Sequence, residues 1–426
     1  MKKNYYVVAL IMLTFFVISF LTNVFGPLMP DMIKGFSLSL TLGSLLPFAF
    51  FIAYGIMSIP TGMLLEKYKE KKIMLAAFVV SFIGSLMLAT FPNYLSAVLS
   101  LFFIGCGMAM LQVVINPLLR TAGGEENYAF YSVAAQLVFG LASFVSPLVY
   151  SQLVQRLQES NQSNGWITAI SNLVPTELPW ISLYLLFVII CVIMFIVIFF
   201  STFPKVELSN EEKPGLLATH IELFKNRTVV LFFIAMICYV GTEQGIANWI
   251  SQFLYTYHGQ DPQKIGADTV AYFWGLMTAG GLLGLLLLKL MDSRVVLVLF
   301  TTLAIACLAA GLFGNTSTAL IAFPLVGFFA SVIYPIIFSL ALNSVEEHHG
   351  SFAGIIVTGI IGGAILPLIV GWIGDYFGLR TGMCILFISL AYILSIGFWA
   401  KPKVTNKTIS LFKKTLPPLI KSKNEN

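Results

Sequence analysis

The chain has 426 residues, 58% of them hydrophobic and only 10% charged, with 37 Phe and a formal net charge of +5. A mean hydropathy of +0.90 excludes a soluble globular domain, and the small positive balance needs no nucleic acid as a partner. Apolar runs of about 20 residues, enough to cross a bilayer, recur along the whole chain and predict an all-α membrane protein with the lipid bilayer as its solvent.

Twelve spans are expected, at residues 5–28, 42–65, 73–93, 95–119, 128–152, 179–202, 228–256, 266–289, 294–313, 317–342, 351–374 and 380–400. Lys2 and Lys3 precede a first run too long for the core of a signal peptide, with no small-residue cleavage site before Pro27, so the first span is expected to be retained. Its one amide is Asn23. Twelve spans place both termini on one side, and of the 24 basic residues only Lys34, Arg156, Lys264 and Arg380 then fall on the other. The positive-inside rule makes the side of the termini cytoplasmic.

Between spans 2 and 3 runs Gly62-Met-Leu-Leu-Glu66-Lys67-Tyr-Lys69-Glu-Lys71-Lys72. A carboxylate at a helix end can accept from a neighbouring helix terminus and a lysine, so Gly62, Glu66 and Lys67 are candidate gating residues. Span 4 carries Gln112 and Asn116, four apart and therefore on one face; span 5 adds Gln136. The segment 203–227, with Glu211-Glu212-Lys213-Pro214-Gly215, divides the spans six and six. The expected units are 1–202, a linker 203–227, 228–400 and a basic tail 401–426. Asn116-Pro117, Glu125-Glu126 and Ser146-Pro147 are answered by Tyr334-Pro335, Glu346-Glu347 and Leu366-Pro367, an internal repeat of two six-helix bundles.

Span 7 reads Tyr239-Val-Gly241-Thr-Glu243-Gln244-Gly245-Ile-Ala-Asn248-Trp249. Glu243 is the one carboxylate this reading places deep inside an apolar segment, where ionising it costs at least a few kcal/mol unless it is paired or functional. Gly241 and Gly245 on either side predict a broken helix, whose freed carbonyls would join the carboxylate around a small cation. The five cysteines lack C-x-x-C spacing and the four histidines fall in expected loops, so neither a disulfide framework nor a metal site is expected. With no acid, histidine or cysteine cluster in the spans, an enzyme is not expected either.

Several of these strings resemble known families. Residues 62–72 resemble the G-x-L-x-D-R-x-G-R-R/K signature of the major facilitator superfamily, with Lys69 where a Gly is usual. Gly107-Met-Ala-Met-Leu-Gln112-Val-Val-Ile-Asn116-Pro117, Tyr239-Val-Gly-Thr-Glu243 with Trp249, Ile333-Tyr334-Pro335-Ile-Ile-Phe338-Ser339-Leu340 and Gly359-Ile-Ile-Gly362-Gly363-Ala364-Ile-Leu-Pro367 resemble stretches of helices 4, 7, 10 and 11 in the fucose, galactose and glucose symporter family. The resemblance implies a plasma-membrane hexose or 6-deoxyhexose:cation symporter of the major facilitator fold, working by alternating access as a monomer. Where members similar to the proton-coupled fucose permease carry an Asp in helix 1 and a Glu in helix 4, this chain has no acid in Thr22–Pro30 and has Gln112.

Amides and aromatic faces suit a ring of hydroxyls with apolar C–H faces. Gln112, Asn116, Gln136, Gln244, Asn248, Trp249, Tyr334 and Asn23 are the candidate sugar ligands. Glu243 is the candidate coupling residue, for Na+ or H+. The alternatives are an exporter of drugs or lipids on the same scaffold and an uncoupled sugar facilitator.

Overall fold

The structure is a computed structural model that describes residues 4–124, 128–158, 165, 170, 172–203, 222–345 and 349–402, with residues 59, 66, 128, 129, 349 and 350 described by backbone alone. Among the described residues are twelve helices long and apolar enough to cross a membrane. They are α1 Tyr5–Gly35, α2 Leu40–Ser58, α3 Lys67–Thr90, α4 Tyr94–Gly123, α5 Phe130–Gln158, α6 Pro179–Phe200, α7 Arg227–His258, α8 Pro262–Leu290, α9 Ser293–Phe313, α10 Thr316–Leu342, α11 Ser351–Phe377 and α12 Leu379–Trp399. Helix starts are fixed by side-chain caps: Asn4, Ser39, Asn93, Asn226, Asp292 and Asn315 each accept a backbone N–H from the first turn that follows. Asp292 also accepts from the Arg294 side chain, which holds its carboxyl below the usual carboxylate range.

Prolines decide where helices restart. The first half of α1 ends at Thr22 and the second begins at Phe25, because Pro27 has no N–H to give to Asn23. The same happens in α10, between Ala330 and Ile333, two residues before Pro335. The expected first span stopped at residue 28, but α1 continues to Gly35 and takes Asp31 into the protein. Glu243 is therefore not the only acid within the apolar architecture.

No open loop separates α2 from α3. Helical structure runs from Leu40 to Thr90, broken only at Lys69, which has φ 67 and ψ 164. That region is open to glycine and costs a lysine about 1–3 kcal/mol. Lys69→Gly is accordingly expected to stabilise the protein by about 1 kcal/mol, read as a higher unfolding temperature in detergent. Two residues on, Lys71 donates to the carbonyls of Phe199 (2.7 Å) and Ser201 (2.8 Å), completing the C-terminus of α6. Lys67 is exposed and lies over the Tyr68 ring at 5.2 Å. The side chain of Glu66, the Glu125-Glu126 and Glu346-Glu347 pairs, most of the linker 203–227 and most of the tail 401–426 lie outside the described residues.

Buried apolar side chains gather into two cores, one from α1–α6 and one from α7–α12. Met29 of α1 belongs to the second core and Ala364 of α11 to the first. The halves meet chiefly along α2 with α11, α5 with α8, and the second part of α1 with α7. Gly26 makes the last of these possible, since a Cβ there would overlap the Ala247 carbonyl.

Candidate functional site

α7 is an unbroken helix from Arg227 to His258, with no rupture at Gly241 or Gly245. The expectation of a broken helix is therefore wrong. A Cβ on Gly241 would overlap Leu366 and press on the Gly362 carbonyl, and one on Gly245 would come within 3.0 Å of Leu386. The glycines let α7 lie close against α11 and α12, a use of small residues common between membrane helices.

Glu243 keeps neutral company. Gln244 donates to its Oε1 at 3.2 Å, and the hydroxyl of Tyr239, one turn earlier, hydrogen-bonds the carboxyl. Tyr239 packs on Tyr334 of α10, ring centroids 5.9 Å apart, and Tyr334 stacks on Phe338. A cavity of about 10 Å³, roughly one water in size, lies against Tyr239, Thr242 and Glu243. The rest of its wall is apolar: Ile246, Phe273, Leu390 and aliphatic residues of α9 and α10. The Thr242 hydroxyl donates to the Cys238 carbonyl at 2.7 Å, which leaves its lone pairs free.

Beyond the carboxyl, Gln244, Asn248 and Gln252 follow at four-residue spacing along α7, and all three are buried. Gln244 reaches the junction of the halves: a Cβ on Gly363 would lie 3.2 Å from it and 3.1 Å from the Phe51 ring of α2. Among the described residues, Asn248 Nδ2 and Gln252 Oε1 are buried and find no hydrogen-bond partner. Such orphans are rare in native interiors, so a stripe holding two of them points to a ligand or water. Gln252 was not foreseen; its signal was the fourfold spacing from Gln244 and Asn248. Trp274 of α8, also unforeseen, is buried, and its indole N–H has no partner among the described residues.

The remaining candidates divide. On α4, Asn116 is exposed and its amide donates weakly to the Gln112 carbonyl at 3.4 Å, while Gln112 is half-buried. Gln136 on α5 is exposed. Exposed amides inside membrane spans normally face water rather than lipid. Asn23 is committed to joining α1 and α5, donating to Ser143 at 2.8 Å and to Ser19 at 3.3 Å. Trp249 is fully buried in the second core, its indole N–H donating to the Pro367 carbonyl at 3.3 Å. Both thus serve as ties between helices in this conformation. The five cysteines are free, and among the described residues no cluster of His, Cys, Asp and Glu is fit to hold a metal.

The sequence model described as Major Facilitator Superfamily matches residues 11–360. A glucose/galactose transporter of Brucella abortus is 29% identical over 407 residues, which cover 93% of this chain and 94% of that one. The L-fucose-proton symporter of Escherichia coli is 26% identical over 419 residues, with coverage of 93% and 94%. The crystal structure of the E. coli fucose:proton symporter superposes with a TM-score of 0.65 at 22% identity, covering 92% of this chain and 98% of that one.

Proposed function

The chain belongs to the Major Facilitator Superfamily, and on that premise we propose that it is a sugar:cation symporter, taking up a hexose or 6-deoxyhexose by alternating access. Its two relatives named above carry glucose, galactose or fucose in their names. The observation that carries the reading is the amide stripe of α7. Asn248 Nδ2 and Gln252 Oε1 are a buried donor and acceptor without partners among the described residues, and a polyhydroxyl ring supplies both complements. Gln112, Asn116 and Gln136 are the amides proposed to contribute from the first half. Counterflow of radiolabelled glucose, galactose and fucose in proteoliposomes tests the substrate class, and the absence of exchange with all three would overturn it.

Gln112→Ala and Asn116→Ala are each expected to weaken sugar binding about tenfold, since a hydrogen-bonding group removed from a desolvated polar site costs about 1–3 kcal/mol. Isothermal titration of the purified protein measures this. Unchanged affinity in both variants would move the sugar away from α4.

The proposed coupling ion is a proton, carried by Glu243. A small metal cation needs a shell of several oxygens. The cavity beside Glu243 offers the carboxyl and the hydroxyls of Thr242 and Tyr239 against an otherwise apolar wall. The proposed orientation places both termini in the cytoplasm, because only Lys34, Arg156, Lys264 and Arg380 of the basic residues lie toward the opposite face. The protein is proposed to work as a monomer in the plasma membrane.

A further inference from the structure

Two carboxylates that serve neither the sugar nor the ion lie where the halves meet at the face assigned above as extracellular. Asp31 stands in the last turns of α1. Both of its oxygens accept from the Gln263 side chain at the start of α8, at 3.1 and 3.2 Å, and Oδ2 also accepts the Tyr150 hydroxyl of α5. The backbone carbonyl of Gln263 in turn accepts from Ser151 at 2.5 Å and from Gln155 at 3.1 Å, both on α5. One residue of the second half is therefore gripped through its side chain and its main chain by two helices of the first.

Asp375, in the last turn of α11, makes the second contact. Its Oδ1 accepts from the Leu40 N–H at 2.7 Å, and its Oδ2 from the Thr41 N–H at 2.9 Å and the Thr41 hydroxyl at 2.5 Å. The first backbone N–H groups of a helix have no partner within it, and the end of the helix carrying them attracts negative charge. Ser39 caps α2 from its own chain by accepting from Leu42; Asp375 completes that cap from the other half. Its own position argues for the same role. A carboxylate at a helix C-terminus opposes the dipole of the helix bearing it, so α11 gains nothing locally from having an acid there.

We propose that Asp31 and Asp375 form a two-point clasp that closes the extracellular face and sets the balance between inward-open and outward-open states. The inference rests on the alternating-access reading above. One point joins α1 and α5 to α8 and the other joins α2 to α11, so the halves cannot part on this face without releasing both. Toward the cytoplasmic ends of α4 and α5, Asn116 and Gln136 are exposed, as an inward-open state requires. Every bond of the clasp is polar. Opening exchanges each protein partner for water, so the net hold of each bond is modest and the closed state stays reversible. A seal of packed apolar side chains would lack that exchange.

The test places nitroxide labels at F91C and F313C, in the full-length protein with its five native cysteines changed to serine. Phe91 and Phe313 are exposed, at 66% and 63%, on this face of opposite halves. Pulsed dipolar spectroscopy in lipid nanodiscs then reads the separation across the face without any sugar present. D375A and D31N are each expected to raise the outward-to-inward ratio about tenfold or more, and the double variant further, seen as growth of a longer-distance population. Where a carboxylate variant does not fold, Q263A is measured instead, because it removes the side-chain contact of the first point while leaving both acids in place. Distance distributions superimposable on the parent's in folded variants would overturn the clasp. Failure of sugar counterflow in the parent would overturn the substrate reading and leave this measurement as it stands.

Discussion

Replacing Glu243 with glutamine is expected to abolish uphill sugar uptake and to leave counterflow near the parent's level. Glutamine preserves the length of the side chain and its hydrogen bonds toward Tyr239 and Gln244, but it neither titrates nor carries charge. The partners of Glu243 are neutral, so an ionised carboxylate must be neutralised by what it carries across. Coupling requires ion and sugar to bind with mutual free-energy linkage, and a variant that cannot take up the ion has none to transmit. Exchange of sugar for sugar needs no such linkage and survives. The measurement is radiolabelled uptake into proteoliposomes under an imposed proton gradient, a sodium gradient or neither. Uphill uptake persisting in Glu243→Gln would move coupling elsewhere, and parent uptake driven by sodium alone would replace the proton by a metal ion.

Trp249→Ala carries the largest expected cost in stability, about 3–5 kcal/mol for emptying a fully buried indole site. The removed N–H would also leave the Pro367 carbonyl without its 3.3 Å donor, beside a proline that already interrupts the bonding of α11. Trp249→Phe keeps most of the ring and loses only the hydrogen bond, for about 1 kcal/mol. Unfolding temperatures in detergent should therefore fall steeply for the alanine variant and slightly for the phenylalanine one. Melting unchanged in Trp249→Ala, together with lost sugar affinity, would return Trp249 to the role of sugar platform.

The contrast around Trp249 shows where the sequence was legible. Hydropathy has a length scale that matches the bilayer, so all twelve spans could be read, and the strings around Gln112, Glu243, Tyr334 and Pro367 pointed to the family. Spacing along one helix exposes which residues share a face, as with Gln112 and Asn116. It does not say what that face meets. Trp249 meets Pro367 and Asn23 meets Ser143, partners 118 and 120 positions away in the chain, so the contacts that hold them in this conformation were hidden from local spacing. Gly241 and Gly245 gave the same signal for a broken helix as for a close helix contact, and packing against Leu366 and Leu386 decided between them. Asp31 and Asp375 were passed over because the expected spans stopped at residues 28 and 374, just short of each. Asp375 finds Leu40 only across 335 positions, a pairing no local pattern records.

The two separate cores bear on how the chain is made. A ribosome delivers α1–α6 before α7 exists, and nearly every buried apolar side chain of those helices has its neighbours within that first stretch. The first half can therefore condense while the second is still being synthesised, as units of larger proteins do. What must wait is small: Met29 stays without its surroundings until α7–α12 arrive, and Ala364 enters a core already assembled. Joining the halves then becomes a docking step between two finished bodies, and a defect confined to one core would leave the other intact for a membrane chaperone to hold.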